Sequence, residues 1–161
     1  MARCVHRTLT IRMSSIVIDN DVMCLFSTED MKLANGDAYR LLFEWLRVEG
    51  ILVVSKKMMT EYQDSFRGSP NLSGLIGLLI KEDRFMEISN ADIKKVRFTK
   101  TEQKRFQSNQ KDRPHIALVI VSPRKKMLSK DVKLCSDING LRKINKIKPE
   151  AQDPPLPSFY L

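Results

Sequence analysis

The stretch Ser14-Ser15-Ile16-Val17-Ile18-Asp19-Asn20-Asp21 constrains this chain more than any other. A short apolar, β-branched run that ends in a carboxylate reads as a parallel strand buried on both faces. It delivers an acid to the C-terminal edge of the strand, where open α/β sheets bind their ligands. What the chain can do then depends on which other acids return to that edge.

The rest of the chain alternates in the same style. Residues 22–26 read as a short helix that Asn20 or Asp21 would cap, followed by a polar loop over 27–35. Leu41, Leu42, Trp45, Leu46 and Val48 recur at helical spacing over 38–48, and Gly50 closes that helix. Ile51-Leu52-Val53-Val54 is a second buried strand. Ser55 caps a helix over 56–66, built on Met58, Met59, Tyr62 and Phe66, with Glu61 inside it. Gly68-Ser69-Pro70 breaks the chain before a helix over 71–81, in which Gly74 and Gly77 are expected to allow close packing. Residues 85–88 alternate as a third strand. Two short helices follow, near 91–96 and 101–107, the second capped by Thr99 or Thr101. Asp112-Arg113-Pro114-His115 opens a helix whose remaining residues, Ile116 to Val121, are all apolar. Residues 126–129 form a fourth strand, and 135–147 a last helix interrupted at Gly140. Four of the seven prolines fall within 149–157, which predicts an extended tail.

Strands separated by helices define an α/β fold with a mostly parallel sheet of four to five strands. The expected organisation is an extension over 1–13, with Met13 an alternative start, one domain over 14–148 and a Pro-rich tail over 149–161.

Composition narrows the function classes. With 42% hydrophobic residues among 161, the chain is long enough for a real core. No apolar run approaches the roughly 20 residues of a membrane-spanning helix, so no membrane partner is expected. Cys4, Cys24 and Cys135 are odd in number and widely spaced, which argues against a disulfide framework or a cysteine zinc site and fits a reducing, cytoplasmic setting. His6 and His115 are the only histidines, so no histidine cluster for a transition metal is expected. Net charge is +9, unevenly placed. Residues 14–90 carry 8 Lys/Arg against 12 Asp/Glu, and residues 91–149 carry 17 against 5. A basic block of this size suits a polyanion, nucleic acid first, although a lysine-rich solvated face has the same composition.

Four carboxylates are placed to meet at the sheet edge. Asp19 ends the first strand, Glu61 lies about two turns into the helix after the second, Asp112 opens the apolar helix, and Asp131 follows the fourth strand. Singly, an Asp in such a place caps a helix, and Glu61 is a surface residue. Together they would repel one another unless cations neutralise them, and an all-oxygen site suits Mg²⁺ or Mn²⁺ rather than zinc. Asp21 could add a ligand or cap a helix. Asp137 is a further candidate or a surface residue. A nucleotide-binding reading lacks its glycine-rich loop after Asp19.

Four segments of the chain resemble the PIN-domain family: Ile16-Val17-Ile18-Asp19, Val53-Val54-Ser55 through Thr60-Glu61-Tyr62, Asp112-Arg113-Pro114-His115-Ile116-Ala117, and Met127-Leu128-Ser129-Lys130-Asp131. Order and spacing agree over about residues 14–145. The resemblance implies a three-layer α/β/α sandwich and Mg²⁺- or Mn²⁺-dependent endoribonuclease activity. Asp19, Glu61, Asp112 and Asp131 would be the metal-site acids, Ser129 the supporting hydroxyl, and Asn20 and Asp21 neighbours of the site. It also implies RNA as substrate, a possible homodimer, and an antitoxin protein as partner if the chain is the toxin of a toxin–antitoxin pair. Two departures are visible: Asn20-Asp21 replaces the small residue and Asn usual after the first acid, and the aromatic that often follows the last acid is absent. Lys111, Arg113, Lys130 and Lys133 adjoin the acids in sequence and are the expected phosphate contacts. The alternative is a PIN-like module that binds RNA or protein without catalysis.

Overall fold

The computed structural model describes residues 14–27, 36–65, 67 and 69–161. The expected extension over 1–13 lies outside the described residues, as do 28–35 of the expected loop. Five strands form one sheet, β1 (Ser15–Ile18), β2 (Ile51–Ser55), β3 (Phe85–Ile88), β4 (Lys126–Leu128) and β5 (Glu150–Gln152). All neighbours are parallel, in the order β3-β2-β1-β4-β5. β1 and β2 are buried at every residue, so their apolar runs carry no alternation.

The helices are α1 (Asn20–Ser27), α2 (Gly36–Val48), α3 (Lys56–Ser65), α4 (Pro70–Lys81), α5 (Asn90–Lys95), α6 (Lys100–Arg105), α7 (Arg113–Val121), α8 (Val132–Asn139) and α9 (Pro157–Tyr160), with a 3-10 turn at Gln110–Asp112. α1 packs on α3 and α4, and α4 on α2, while α7 packs on α5 and α8. The layers follow from the winding. The chain moves outward from β1 to β3, then returns to β4 and β5 on the other side, so right-handed crossovers put the later helices on the opposite face. The result is a three-layer α/β/α sandwich. α7 is buried from His115 to Val119, in keeping with its all-round apolar composition.

Local chemistry sets the element ends. Ser55 Oγ accepts the Met58 N–H at the start of α3, and Ser69 caps α4. Thr99 and Glu102 form a reciprocal capping box at α6. At Gly50 a Cβ would come within 2.8 Å of the Trp45 ring, so glycine permits the tight exit from α2.

Three expectations are corrected. The extended tail expected over 149–161 instead holds a strand and a short helix. β5 pairs with β4, and α9 returns to α2, where Tyr160 meets Trp45 at 4.9 Å between ring centroids. The prolines flank the three ladder residues instead of interrupting them, as an edge strand allows. The last long helix starts earlier and ends sooner than 135–147: Asp131 caps α8, and Gly140 closes it. Gly74 and Gly77 mediate no close packing, since among the described residues nothing lies within 4 Å of either Cβ position. Gly77 instead lines a groove of about 440 Å³ between α3 and α4.

Candidate metal centre at the carboxyl edge of the sheet

The strand order reverses between β1 and β4, and such a switch point opens a crevice at the C-terminal strand ends. The register pairs Ile18 with Leu128, so Asp19 and Ser129 are the next residues on each side. The Asp19 N–H donates to the Leu128 carbonyl at 2.8 Å. The buried Ser129 hydroxyl donates to Asp19 Oδ2 at 2.7 Å and accepts the Asp131 N–H at 3.1 Å. Asp19 Oδ1 accepts the Asn20 N–H at 2.9 Å. Both oxygens of Asp19 are thereby oriented.

Glu61 reaches the same edge from α3. The fully buried Tyr62 anchors that helix by donating its hydroxyl to the Ile18 carbonyl, one residue before Asp19. Lys57, one turn before Glu61, lies 3.6 Å from Glu61 Oε1 and donates to the Lys111 carbonyl, tying α3 to the turn that leads into α7. From the first turn of α7, the buried His115 presents Nε2 to Glu61, 2.9 Å from Oε2 and 3.2 Å from Oε1. Asp19, Glu61 and His115 each offer a donor atom, all within 4.8 Å of one another. The Nδ1 atom of His115 is buried without a hydrogen-bond partner among the described residues. Two carboxylates and an imidazole at this spacing fit a divalent cation in donor type and reach.

The other sequence candidates take different places. Asp131 lies outside this cluster: its Oδ1 caps α8, accepting the N–H groups of Lys133 and Leu134. It remains joined to Asp19 through the shared Ser129 hydroxyl. Asp112 ends the 3-10 turn at the N-cap position of α7, half-buried, and its side chain makes no capping bond. Asp21 is not a cap either. It sits inside α1, its Oδ2 accepting the Lys130 N–H at 2.9 Å and its Oδ1 buried without a partner among the described residues. Asn20 donates to the Ser65 hydroxyl at 2.7 Å, linking α1 to the end of α3. Asp137 is buried, not a surface acid, and accepts the Gln107 and Ser108 N–H groups and the Ser108 hydroxyl.

Burial, with neighbouring acids adding to it, raises the titratable groups at this edge. Burial and the neighbouring Asp19 charge push the Asp21 carboxyl up to about 7, against the lowering effect of the Lys130 N–H. Burial pushes the Cys135 thiol up to about 12, with Asp21, Asp153, Asp131 and Asp19 adding to the shift. Asp153, just past β5, is thus a further acid at this edge, holding the Tyr39 hydroxyl.

Much of the basic charge of the second half serves the fold. Arg97, Arg105, Arg124, Lys125, Lys126 and Lys148 all donate to main-chain carbonyls, most of them beside helix ends, where a cation completes orphan acceptors. Lys111, Lys130 and Lys133 are exposed beside the acidic edge. Arg113 is half-buried, its guanidinium 4.1 Å from the Phe106 ring centroid and its Nε without a partner among the described residues.

Sequence alone does not mark His115 as a member of the site, because two distant histidines form no cluster and this one joins carboxylates instead. The signal is a lone histidine in the first turn of a helix that is apolar from Ile116 to Val121, three residues after Asp112.

Fold and site together define a doubly wound α/β protein with a carboxylate–imidazole cluster at its switch point. Comparison with protein-family models, with curated proteins and with solved structures finds no match. No helix among the described residues is long and apolar enough to cross a membrane.

Proposed function

We propose that this chain is a PIN-like, metal-dependent endoribonuclease that hydrolyses RNA phosphodiester bonds at the carboxyl edge of its sheet. The observation that carries the reading is the convergence of Asp19 and Glu61 with His115 at the β1/β4 switch point. A divalent cation held there would supply Lewis-acid stabilisation of phosphoryl oxygens and acidify a water nucleophile. Asp19 and Glu61 would hold the ion, with Ser129 fixing the Asp19 carboxylate. Lys111, Arg113, Lys130 and Lys133 would bind flanking phosphates without reading sequence. Asp131, joined to Asp19 through Ser129, and Asp112, three residues before His115, would complete the acidic surround.

The test is cleavage of a labelled single-stranded RNA by the full chain with Mg²⁺ or Mn²⁺. Cleavage should stop with EDTA and fall by orders of magnitude in Asp19→Asn. Cleavage that persists in EDTA or in Asp19→Asn overturns the reading. RNA binding without cleavage under either metal would leave the non-catalytic module.

A further inference from the structure

Resting on that reading of the metal centre, we propose that His115 is itself a metal ligand, and that the mixed nitrogen–oxygen donor set makes the centre selective for a first-row transition cation, probed here as Mn²⁺, over Mg²⁺.

The placement of the ring carries the argument. His115 is held in the first turn of α7, with its side chain only 4% exposed. One ring nitrogen, Nε2, faces the Glu61 carboxylate at 2.9 Å, and the other, Nδ1, is buried without a partner among the described residues. Neither neutral tautomer satisfies this ring within the protein. With the proton on Nε2, that N–H donates to Glu61 and a bare lone pair is buried at Nδ1. With the proton on Nδ1, an unpaired N–H is buried and the Nε2 lone pair confronts a carboxylate. A cation shared by Nε2 and the Glu61 carboxylate removes the confrontation in the second arrangement and uses the Nε2 lone pair as a ligand. The Asp19 and Glu61 oxygens within 4.8 Å show where a cation would find its remaining donors.

Selectivity follows from ligand chemistry. Mg²⁺ demands near-octahedral oxygen coordination and gives up its waters reluctantly. Mn²⁺ also binds oxygen, but stands with the divalent metals that rank by affinity for nitrogen, oxygen and sulfur sites. Carboxylates alone would leave the two ions close. An imidazole among them separates the ions, and a side-chain amide in its place restores an all-oxygen set.

The experiment is metal binding by the full chain, without RNA. Calorimetric titration with Mn²⁺ and with Mg²⁺ should show Mn²⁺ bound more tightly by roughly tenfold or more. His115→Gln should weaken Mn²⁺ binding by roughly ten- to a hundredfold, the scale on which metal-site partners act, and leave Mg²⁺ nearly unchanged. Pulsed EPR of Mn²⁺ on the parent protein should show coupling to a directly bound ¹⁴N nucleus, a readout that needs no variant to fold. Mn²⁺ bound without that coupling, or an unchanged Mn²⁺/Mg²⁺ ratio in a folded His115→Gln, overturns the inference and leaves an oxygen-ligated centre standing. Failure of the parent to bind either ion overturns both.

Discussion

The Ser129 hydroxyl donates to Asp19 Oδ2 at 2.7 Å, joining residues 110 positions apart in the chain across the point where the strand order reverses. The same oxygen accepts the Asp131 N–H, so one buried hydroxyl orients the acid after β1 and the loop after β4. Removing it should loosen both sides of the candidate centre.

Ser129→Ala is therefore expected to lose about 1.5–3 kcal/mol, the usual worth of a hydrogen bond to a charged group. Metal affinity should fall by roughly ten- to a hundredfold, because the carboxylate loses its orienting donor. Ser129→Thr should recover most of the affinity. Denaturant unfolding and calorimetric metal titration read the two effects separately. Unchanged metal affinity in a folded Ser129→Ala would show that the hydroxyl serves the fold alone.

Asp131 holds a structural position whatever else it does. Asp131→Ala should cost about 1 kcal/mol through loss of the α8 cap, and Asp131→Asn far less, since asparagine caps nearly as well. If Asp131 also contributes charge to the site, Asp131→Asn will keep its melting temperature and still lose RNA cleavage. Retention of both properties would confine Asp131 to capping.

The Asp21 carboxyl gives the metal-free protein a pH dependence of known sign. Its folded pKa is raised from the ordinary 3.8 to about 7, by burial first and by the Asp19 charge second. Between those values the folded state keeps a proton that the unfolded chain releases. Stability from this group is therefore greatest below about pH 4, declines as pH rises towards 7, and stays low above that. In EDTA, Asp21→Asn should flatten the fall in melting temperature between pH 5 and pH 8 and melt higher than the parent at pH 8. An identical pH profile for the two proteins would place Asp21 in an ordinary solvated setting.

The basic residues should divide into two groups. Lys130 and Lys133 are exposed beside the acidic edge, whereas Arg124 donates to the carbonyls of Tyr160, Phe159 and Leu161 at the end of α9. Reversing Lys130 and Lys133 to Glu should weaken RNA binding and reduce the slope of log affinity against log salt by about 0.7 per lost phosphate contact. Arg124→Met should lower the melting temperature and leave the salt slope alone. Filter binding across a salt series, paired with melting curves, checks both. A salt slope unchanged by the Lys130 and Lys133 reversals would move the phosphate grip elsewhere.

Most of the architecture is written in local signals. Apolar β-branched runs too short for helices, helical periodicity over 38–48 and 56–66, and caps at Ser55 and at Thr99 or Thr101 are local signals, and those elements form, with Ser55 and Thr99 as the caps. β5 was hidden because only Ala151 of its three residues is buried and because prolines crowd around it. Asp19 and Glu61 were legible as candidate ligands because both lie at a fixed distance from a recognisable strand. Long-range packing sets which groups share the site. It brought His115 to Glu61 because α7 crosses to α3 at the sheet edge, a contact between residues 54 apart that no local pattern encodes. It turned Asp131 and Asp137 to backbone N–H groups and took six basic side chains to main-chain carbonyls. Local periodicity decides which face of an element is apolar. Which polar groups meet depends on strand order and register, and those are settled when the whole core packs.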